Sequence, residues 1–474
     1  MAKSLKQNAL SIVDTITLAV AGTAPSYSLN ATTATLVAAV GLASPGALIY
    51  GAIPMFGVAF AFMYLNHWRA DAGAAYAWVG RALNPYLGFI CAWTFLVLST
   101  AFMVTAALPI GVITLHLIAP QYEENVAIAT FVGGLWFAAV ATLTILGVHV
   151  AASVQRLMTA IEVIALLALF IGGIIKFAHQ PVHAPAWSWF SPTAFGDFNT
   201  FFAGLLVAMF YYFGWDVSSN VAEETQGANS TPGASGVLGM IGIFLLFIFI
   251  QVVIQMGMTP EQIDKNSANL LSALGDLIFP QPWGNIAILA VLVSTVGTIG
   301  TQLTQCARLL FSMGRDRVLH RTFEEIHPRF QTPWLAGLVI TVLALLLLAL
   351  SSSSESISSV MTNLISAIGV MVAFYYGMTG IACAWYYRRI LRRDWQTLMM
   401  KGIWPLGSAI LLLIVGLAQL PELGWQVALY TVGAIAFGII PMLYYRFKYG
   451  SSFYSEIPEF FNPTSEDHRP VKIG

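Results

Sequence analysis

About twelve apolar runs follow one another along the chain, with approximate limits 12–40, 45–66, 85–118, 126–148, 154–177, 199–222, 236–258, 284–312, 333–351, 359–387, 403–420 and 424–446. Each suffices to cross a hydrocarbon core of about 30 Å, which takes roughly 20 helical residues. With 58% hydrophobic and 9% charged residues in 474, the chain has too little charge to wet the surface of a soluble globule. Lipid is the expected solvent, and the expected class is an all-α membrane protein, since a segment crossing lipid must satisfy its own backbone hydrogen bonds. The first run outlasts the apolar part of a secretory signal and lacks a small-residue cleavage site, so it reads as the first span.

Positively charged loops resist translocation, so the placement of Lys and Arg sets the orientation. With the first residues in the cytoplasm, 19 of the 21 basic residues fall on the cytoplasmic side and only Lys176 and Lys265 fall outside. That asymmetry requires an even number of spans and predicts that both termini are cytoplasmic in a cell (inner or plasma) membrane. Outward loops carry acids instead, among them Glu123, Glu124, Asp197, Glu261 and Asp276. The polar, Pro-containing stretch 447–474 reads as a flexible cytoplasmic tail.

Nothing in the chain suggests nucleic acid, a cofactor or a metal. The net charge is −1, the eight histidines are scattered without a ligand spacing, and Cys91, Cys306 and Cys383 lie singly in apolar runs, where core packing accounts for them. No phosphate-binding Gly-rich loop, nucleophile with a base, or ring of pore charges is visible, which argues against an ATP-driven pump, a membrane enzyme and a channel.

Irregular backbone at bilayer depth is tolerated only where protein or a cavity surrounds it. Two spans contain such interruptions, about 190 residues apart: Ala21-Gly22-Thr23-Ala24-Pro25-Ser26-Tyr27 in the first, and Phe210-Tyr211-Tyr212-Phe213-Gly214-Trp215-Asp216 in the sixth. Pro25 lacks an N–H and disrupts a preceding helical turn. Matched breaks in two halves of a chain point to a midplane solute site, where freed N–H groups suit a carboxylate and freed carbonyls suit an ammonium.

These residues resemble the amino acid-polyamine-organocation superfamily of permeases, over nearly the whole chain. Gly22-Thr23-Ala24 is similar to that family's Gly-Ser/Thr-Gly signature, with alanine in place of the last glycine. Asp71-Ala72-Gly73-Ala74-Ala75-Tyr76 resembles its Gly-Gly-x-Tyr region. Phe213-Gly214-Trp215-Asp216 with Ala222-Glu223-Glu224 resembles the aromatic-Gly-Phe-acid and Ala-Glu-Glu pattern. Ala307-Arg308 through Met313-Gly314-Arg315-Asp316, with Thr332-Pro333, resembles the elements after the eighth span.

The resemblance implies a five-plus-five inverted repeat (about 12–177 and 199–387) with discontinuous spans 1 and 6, two extra helices within 403–446, and alternating access. It places the substrate site at Val20, Gly22, Thr23 and Ala24 with Phe210, Phe213 and Gly214, Phe210 being the gating aromatic; Ser26, Trp215 and Asp216, within the same two breaks, are further candidates for substrate binding. The expected cargo is an amino acid or related small amine. A polyamine or other organocation, and a transporter-like nutrient sensor, are the alternatives.

An acid in mid-membrane is a functional candidate by default, which singles out Glu162. The resemblance, aligned through Gly147-Val148 and Val154-Gln155, puts it where some proton-coupled relatives carry a lysine. It is expected to carry a coupling proton, or to join Ser294, Thr295 and Thr298 around a sodium ion, or to make a structural hydrogen bond. Asp216 is expected to cap the second half of span 6, with attraction of a substrate amine as the alternative. Glu223 and Glu224 are expected to be solvated loop acids, or else to pair with Arg308 or Arg315 in an inner gate.

Overall fold

The computed structural model describes residues 4–462 except 124, 146, 268 and 354–356. Glu124 and the tail beyond 462 therefore lie outside the described residues. Among those described there is no strand, and ten helical stretches are apolar and long enough to cross a membrane.

The first of these stretches, Ile12–Trp68, has 57 residues, about 85 Å of helix at 1.5 Å per residue and far more than one crossing needs. It divides into α1 (Ile12–Thr23), α2 (Pro25–Val40) and α3 (Ser44–Trp68). After a short α4 (Ala75–Ala82) come α5 (Pro85–Ile118), α6 (Val126–Ile145) and α7 (Val148–Phe177). The sixth apolar run divides into α8 (Phe198–Tyr211) and the four-residue α9 (Val217–Asn220). Next are α10 (Thr231–Gly257), two short helices α11 (Pro260–Lys265) and α12 (Leu270–Ile278), and α13 (Ile286–Arg315). The remainder comprises α14 (Trp334–Ser351), α15 (Ile357–Tyr386), α16 (Trp395–Leu398), α17 (Trp404–Gln419), α18 (Trp425–Phe437) and α19 (Ile439–Tyr449).

Local chemistry sets the ends. Ser11 and Asp14 cap the start of α1 reciprocally, Asn84 accepts from the Tyr86 N–H at the start of α5, and prolines occupy the first turns of α2, α5 and α10, where no partner for their nitrogen is needed. Apolar side chains cover the outside as well as the inside: Leu135, Leu143, Ile164, Leu346 and Leu417 are exposed around the bundle, as lipid contact requires. Inside, small residues bring helices close. A Cβ on Gly133 of α6 would overlap the Ala107 carbonyl of α5.

The stretch after α19 departs from the expected flexible tail. Residues 447–449 are the last turn of α19, and the chain then turns at Gly450, in the left-handed region, so that Phe453 is buried against α4 and α5. Four aromatic side chains, Phe453, Tyr454, Phe460 and Phe461, supply the apolar contact that its polar composition conceals.

Candidate functional site

Ala24 is the joint between α1 and α2. It adopts φ 51°, ψ 67°, closing α1 with its N–H on the Val20 and Ala21 carbonyls. Pro25 is then the first residue of α2, a position that suits it, so it starts the second half-helix rather than kinking the first.

The opened backbone is satisfied by side chains from other helices. Ser26 N–H donates to Glu162 Oε1 of α7 at 2.8 Å, and Tyr27 N–H donates to Ser294 Oγ of α13 at 3.2 Å. The Thr298 hydroxyl donates to the Gly22 carbonyl at 3.0 Å, and the Ser28 hydroxyl to the Thr23 carbonyl at 2.8 Å. Glu162 is 1% exposed and sits where a helix N-terminus favours negative charge. Ser294 and Thr298 thus reach the break, whereas Thr295 bonds back to the Val291 carbonyl of its own helix.

The second break faces the first. Gly214 has φ 108°, and its N–H donates to the Tyr376 hydroxyl at 3.3 Å. A Cβ on Gly22 would overlap the Gly214 carbonyl, and one on Gly214 would overlap the Gly22 carbonyl. Phe210 packs tilted on Phe102 with centroids 5.2 Å apart, and Phe213 meets Phe102 edge-on at 5.4 Å. Trp215 stacks on Tyr376 at 5.6 Å, and Phe62 closes the group edge-on to Trp215 at 5.2 Å.

Asp216 does not cap α9. Its backbone is right-handed helical and its side chain makes no capping bond. The carboxylate instead collects three neutral donors: Tyr376 on Oδ1 at 2.8 Å, and Tyr375 at 2.9 Å and Gln305 Nε2 at 2.8 Å on Oδ2. Three converging donors outweigh one capping bond to a single-turn helix. Nearby, Gln302 accepts from the Ser99 hydroxyl at 2.9 Å, while its own Nε2, close to Gly214, and the Trp215 indole N–H are buried without partners among the described residues.

Tyr375, Tyr376, Gln302 and Gln305 were not singled out in the sequence. Their signal was the presence of hydrogen-bonding side chains in otherwise apolar helices, Gln302 and Gln305 three positions apart on one face.

Toward the Arg-rich end, Glu223 and Glu224 are paired rather than solvated. Arg308 forks onto Glu224 at 2.7 and 3.0 Å, both side chains being buried. Arg315 bonds both oxygens of Glu223 at 2.9 and 3.0 Å and Asp71 at 3.1 Å. Arg81 takes Asp316 at 3.0 Å. The Ala72 N–H donates to Glu223, and Asn220 of α9 donates to the Ala72 carbonyl. These bonds fasten the loop between α3 and α4 over the broken helix.

Comparison with known proteins agrees with this geometry. An amino acid permease family profile matches residues 10–444. The chain is 21% identical to the serine/threonine exchanger SteT of Bacillus subtilis over 304 residues, covering 64% of this chain and 67% of that protein. It is 25% identical to the low-affinity putrescine importer PlaP of Escherichia coli over 349 residues, 70% and 71% of the two chains. The arginine/ornithine antiporter of Pseudomonas aeruginosa is 22% identical over 414 residues, 83% and 84%. A family match that takes in both helix breaks and every long apolar helix except the last turns of α19 places this chain in the amino acid permease family, within the superfamily its motifs resemble.

Proposed function

We propose that this protein is a secondary transporter that carries an amino acid or related small amine across the cell membrane by alternating access, in symport with a proton. The observation that carries this reading is the backbone contact of Gly22 and Gly214, which sets two helix breaks face to face in the bundle interior. Paired discontinuous helices supply unwound N–H and carbonyl groups to a solute, and rocking of one part of the bundle against another exposes the site alternately.

In this reading α1 with α2 forms the first span and α8 with α9 the sixth. The chain then has twelve spans in a single domain over 1–446, as two inverted five-span repeats and two further helices. The Arg-rich end faces the cytoplasm with both termini, in keeping with the charge asymmetry.

Glu162 is the proton carrier. It is buried, has only neutral hydrogen-bond donors around it, and bonds directly to the first break at Ser26. Its protonation would weaken the hold on α2 and so link proton binding to movement of the break. Sodium is the less favoured coupling ion. Thr295 turns away, and a cation among Glu162, Ser294 and Thr298 would have to displace bonds that already satisfy Ser26, Tyr27 and Gly22.

One arrangement supports the organocation alternative: Asp216, which has no basic partner among the described residues, lies among Trp215, Tyr375, Tyr376 and Phe62, surroundings that suit an ammonium group.

The test is counterflow into proteoliposomes loaded with single amino acids or diamines, at two pH values and with or without sodium. Amino acid exchange driven by a proton gradient, with the gradient response lost in Glu162→Gln, supports the proposal. Diamine exchange lost in Asp216→Asn, or a sodium requirement, moves the assignment to the corresponding alternative. Selective thermal stabilisation by a solute without counterflow would identify a sensor.

A further inference from the structure

Beyond α19 the chain runs back across the Arg-rich end of the bundle, held by bonds to three separate elements. Ser451 Oγ donates to the Asp316 carbonyl at the end of α13. Phe453 stacks on Tyr76 of α4 with centroids 5.1 Å apart, and the Arg81 guanidinium lies 5.0 Å over its ring. Glu456 pairs with Arg81 Nε at 3.2 Å, and Glu459 N–H donates to the Arg81 carbonyl at 2.7 Å. Phe461 N–H donates to the Tyr386 carbonyl at the end of α15 at 3.0 Å, and the Arg389 guanidinium covers the ring of Phe460.

Arg81 joins this segment to the Arg-rich end of the bundle, because the same guanidinium holds Asp316 through Nη2 and Glu456 through Nε. α4 precedes α5 in the first half of the chain, whereas α13 and α15 belong to the second. Any opening that parts the halves at this end must lift the segment from at least one of them.

The docking is also incomplete, unlike permanent core packing. Among the described residues Arg81 Nη1 and the Tyr454 hydroxyl are buried without partners, and Glu456 is 37% exposed. Such contacts hold a segment down while leaving it able to release. Gly450, at φ 56°, supplies the turn from which it departs.

We infer that residues 451–461 form a releasable strap across the Arg-rich end, closing that side of the bundle and limiting the rate at which it opens. The inference rests on the transport reading for its consequence, but the strap itself can be tested without a transported solute. Ser219 of α9 is 1% exposed, and its neighbour Asn220 is tied to the loop at Ala72. A cysteine there reports lifting of the loop, and a chain keeping Ser219 corrects for the three buried native cysteines.

The experiment compares N-ethylmaleimide labelling of Ser219→Cys in the full chain, in the chain ended after Gly450, and in Phe453→Ala, each with its elution profile and thermal midpoint. Labelling about three- to tenfold faster in both altered chains, with the folded elution kept, is expected if the strap holds the end shut. The same proteins in proteoliposomes should then show a higher maximal exchange rate at a nearly unchanged half-saturating concentration. Unchanged labelling in both altered chains overturns the strap. Faster labelling with no flux in any chain would retain the strap and discard the transport reading. A fall in thermal midpoint without faster labelling would show a merely structural staple and also overturn the inference.

Discussion

Gly22 and Gly214 touch backbone to backbone, each occupying the space in which the other's Cβ would have to stand. Alanine at either position should push the two breaks apart. Gly214→Ala should be the worse, because φ 108° adds backbone strain of about 1–3 kcal/mol to the overlap. Solute exchange should fall at least about tenfold, the loss that corresponds to 1.4 kcal/mol. Gly407→Ala, which meets nothing within 4 Å in α17, serves as the control and should retain full exchange.

Ala24 carries the positive φ that joins α1 to α2, an unusual conformation for a residue with a Cβ. Left-handed backbone costs such a residue about 1–2 kcal/mol relative to glycine, and a β-branched residue more. Ala24→Gly should therefore keep or raise the thermal midpoint, while Ala24→Val should lower it by several degrees and reduce exchange. Equal midpoints for the two variants would contradict strain at this joint.

Asp216 receives Tyr375 and Gln305 on one oxygen and Tyr376 on the other. Asparagine keeps the shape but replaces one of the two acceptor oxygens with a donor, setting an N–H against a tyrosine or glutamine donor. Asp216→Asn should cost about 1–3 kcal/mol, the usual effect of leaving a buried group unsatisfied. Tyr376→Phe should cost less than Asp216→Asn and should also loosen Gly214, whose N–H donates to that hydroxyl. Denaturation midpoints of the two variants check the order, and equal losses would mean that the Asp216 carboxylate adds nothing beyond its bond to Tyr376.

The breaks were legible as a pair: Pro25 and Gly214 interrupt two apolar runs about 190 residues apart, whereas either alone would read as an ordinary kink, since Pro and Gly are common in membrane helices and α3 and α5 carry Pro54 and Pro109 in their interiors. Glu162 stood out for a different reason, as an acid in the middle of an apolar run. The donors on Asp216 were not, since a tyrosine or glutamine in an apolar helix reveals neither its facing nor its partner, and Tyr376 lies 160 positions away from Asp216. The capping expectation for Asp216 used only local sequence and failed because long-range donors outnumbered the local one. For Glu223 and Glu224 the sequence left solvation and pairing with Arg308 or Arg315 both open, with solvation the simpler account, because a polar loop shows no partner until folding brings those arginines beside it. Residues 451–461 misled through composition, their polar and proline content masking the spacing of Phe453, Phe460 and Phe461.

Asp71, in the loop before α4, makes stability depend on pH. Burial alone would raise its pKa, but Arg315 and Arg81, with hydrogen bonds from the Gly73 N–H and the Ser312 hydroxyl, hold it below the usual carboxylate range. Glu223, on the same Arg315, goes the other way: burial raises it more than Arg315 lowers it, so on acidification Glu223 takes up its proton first. A group whose folded pKa lies below its unfolded value of about 3.9 stabilises fully above that pH and loses the contribution as pH falls through the folded pKa. Asp71→Asn should therefore cost about 2 kcal/mol at neutral pH, in the range for a buried hydrogen-bonded charge. The difference in thermal midpoint between the two proteins should persist down to about pH 4 and narrow below it. A gap of constant size from neutral pH to pH 3 would mean that Asp71 acts through shape and not through its charge on Arg315.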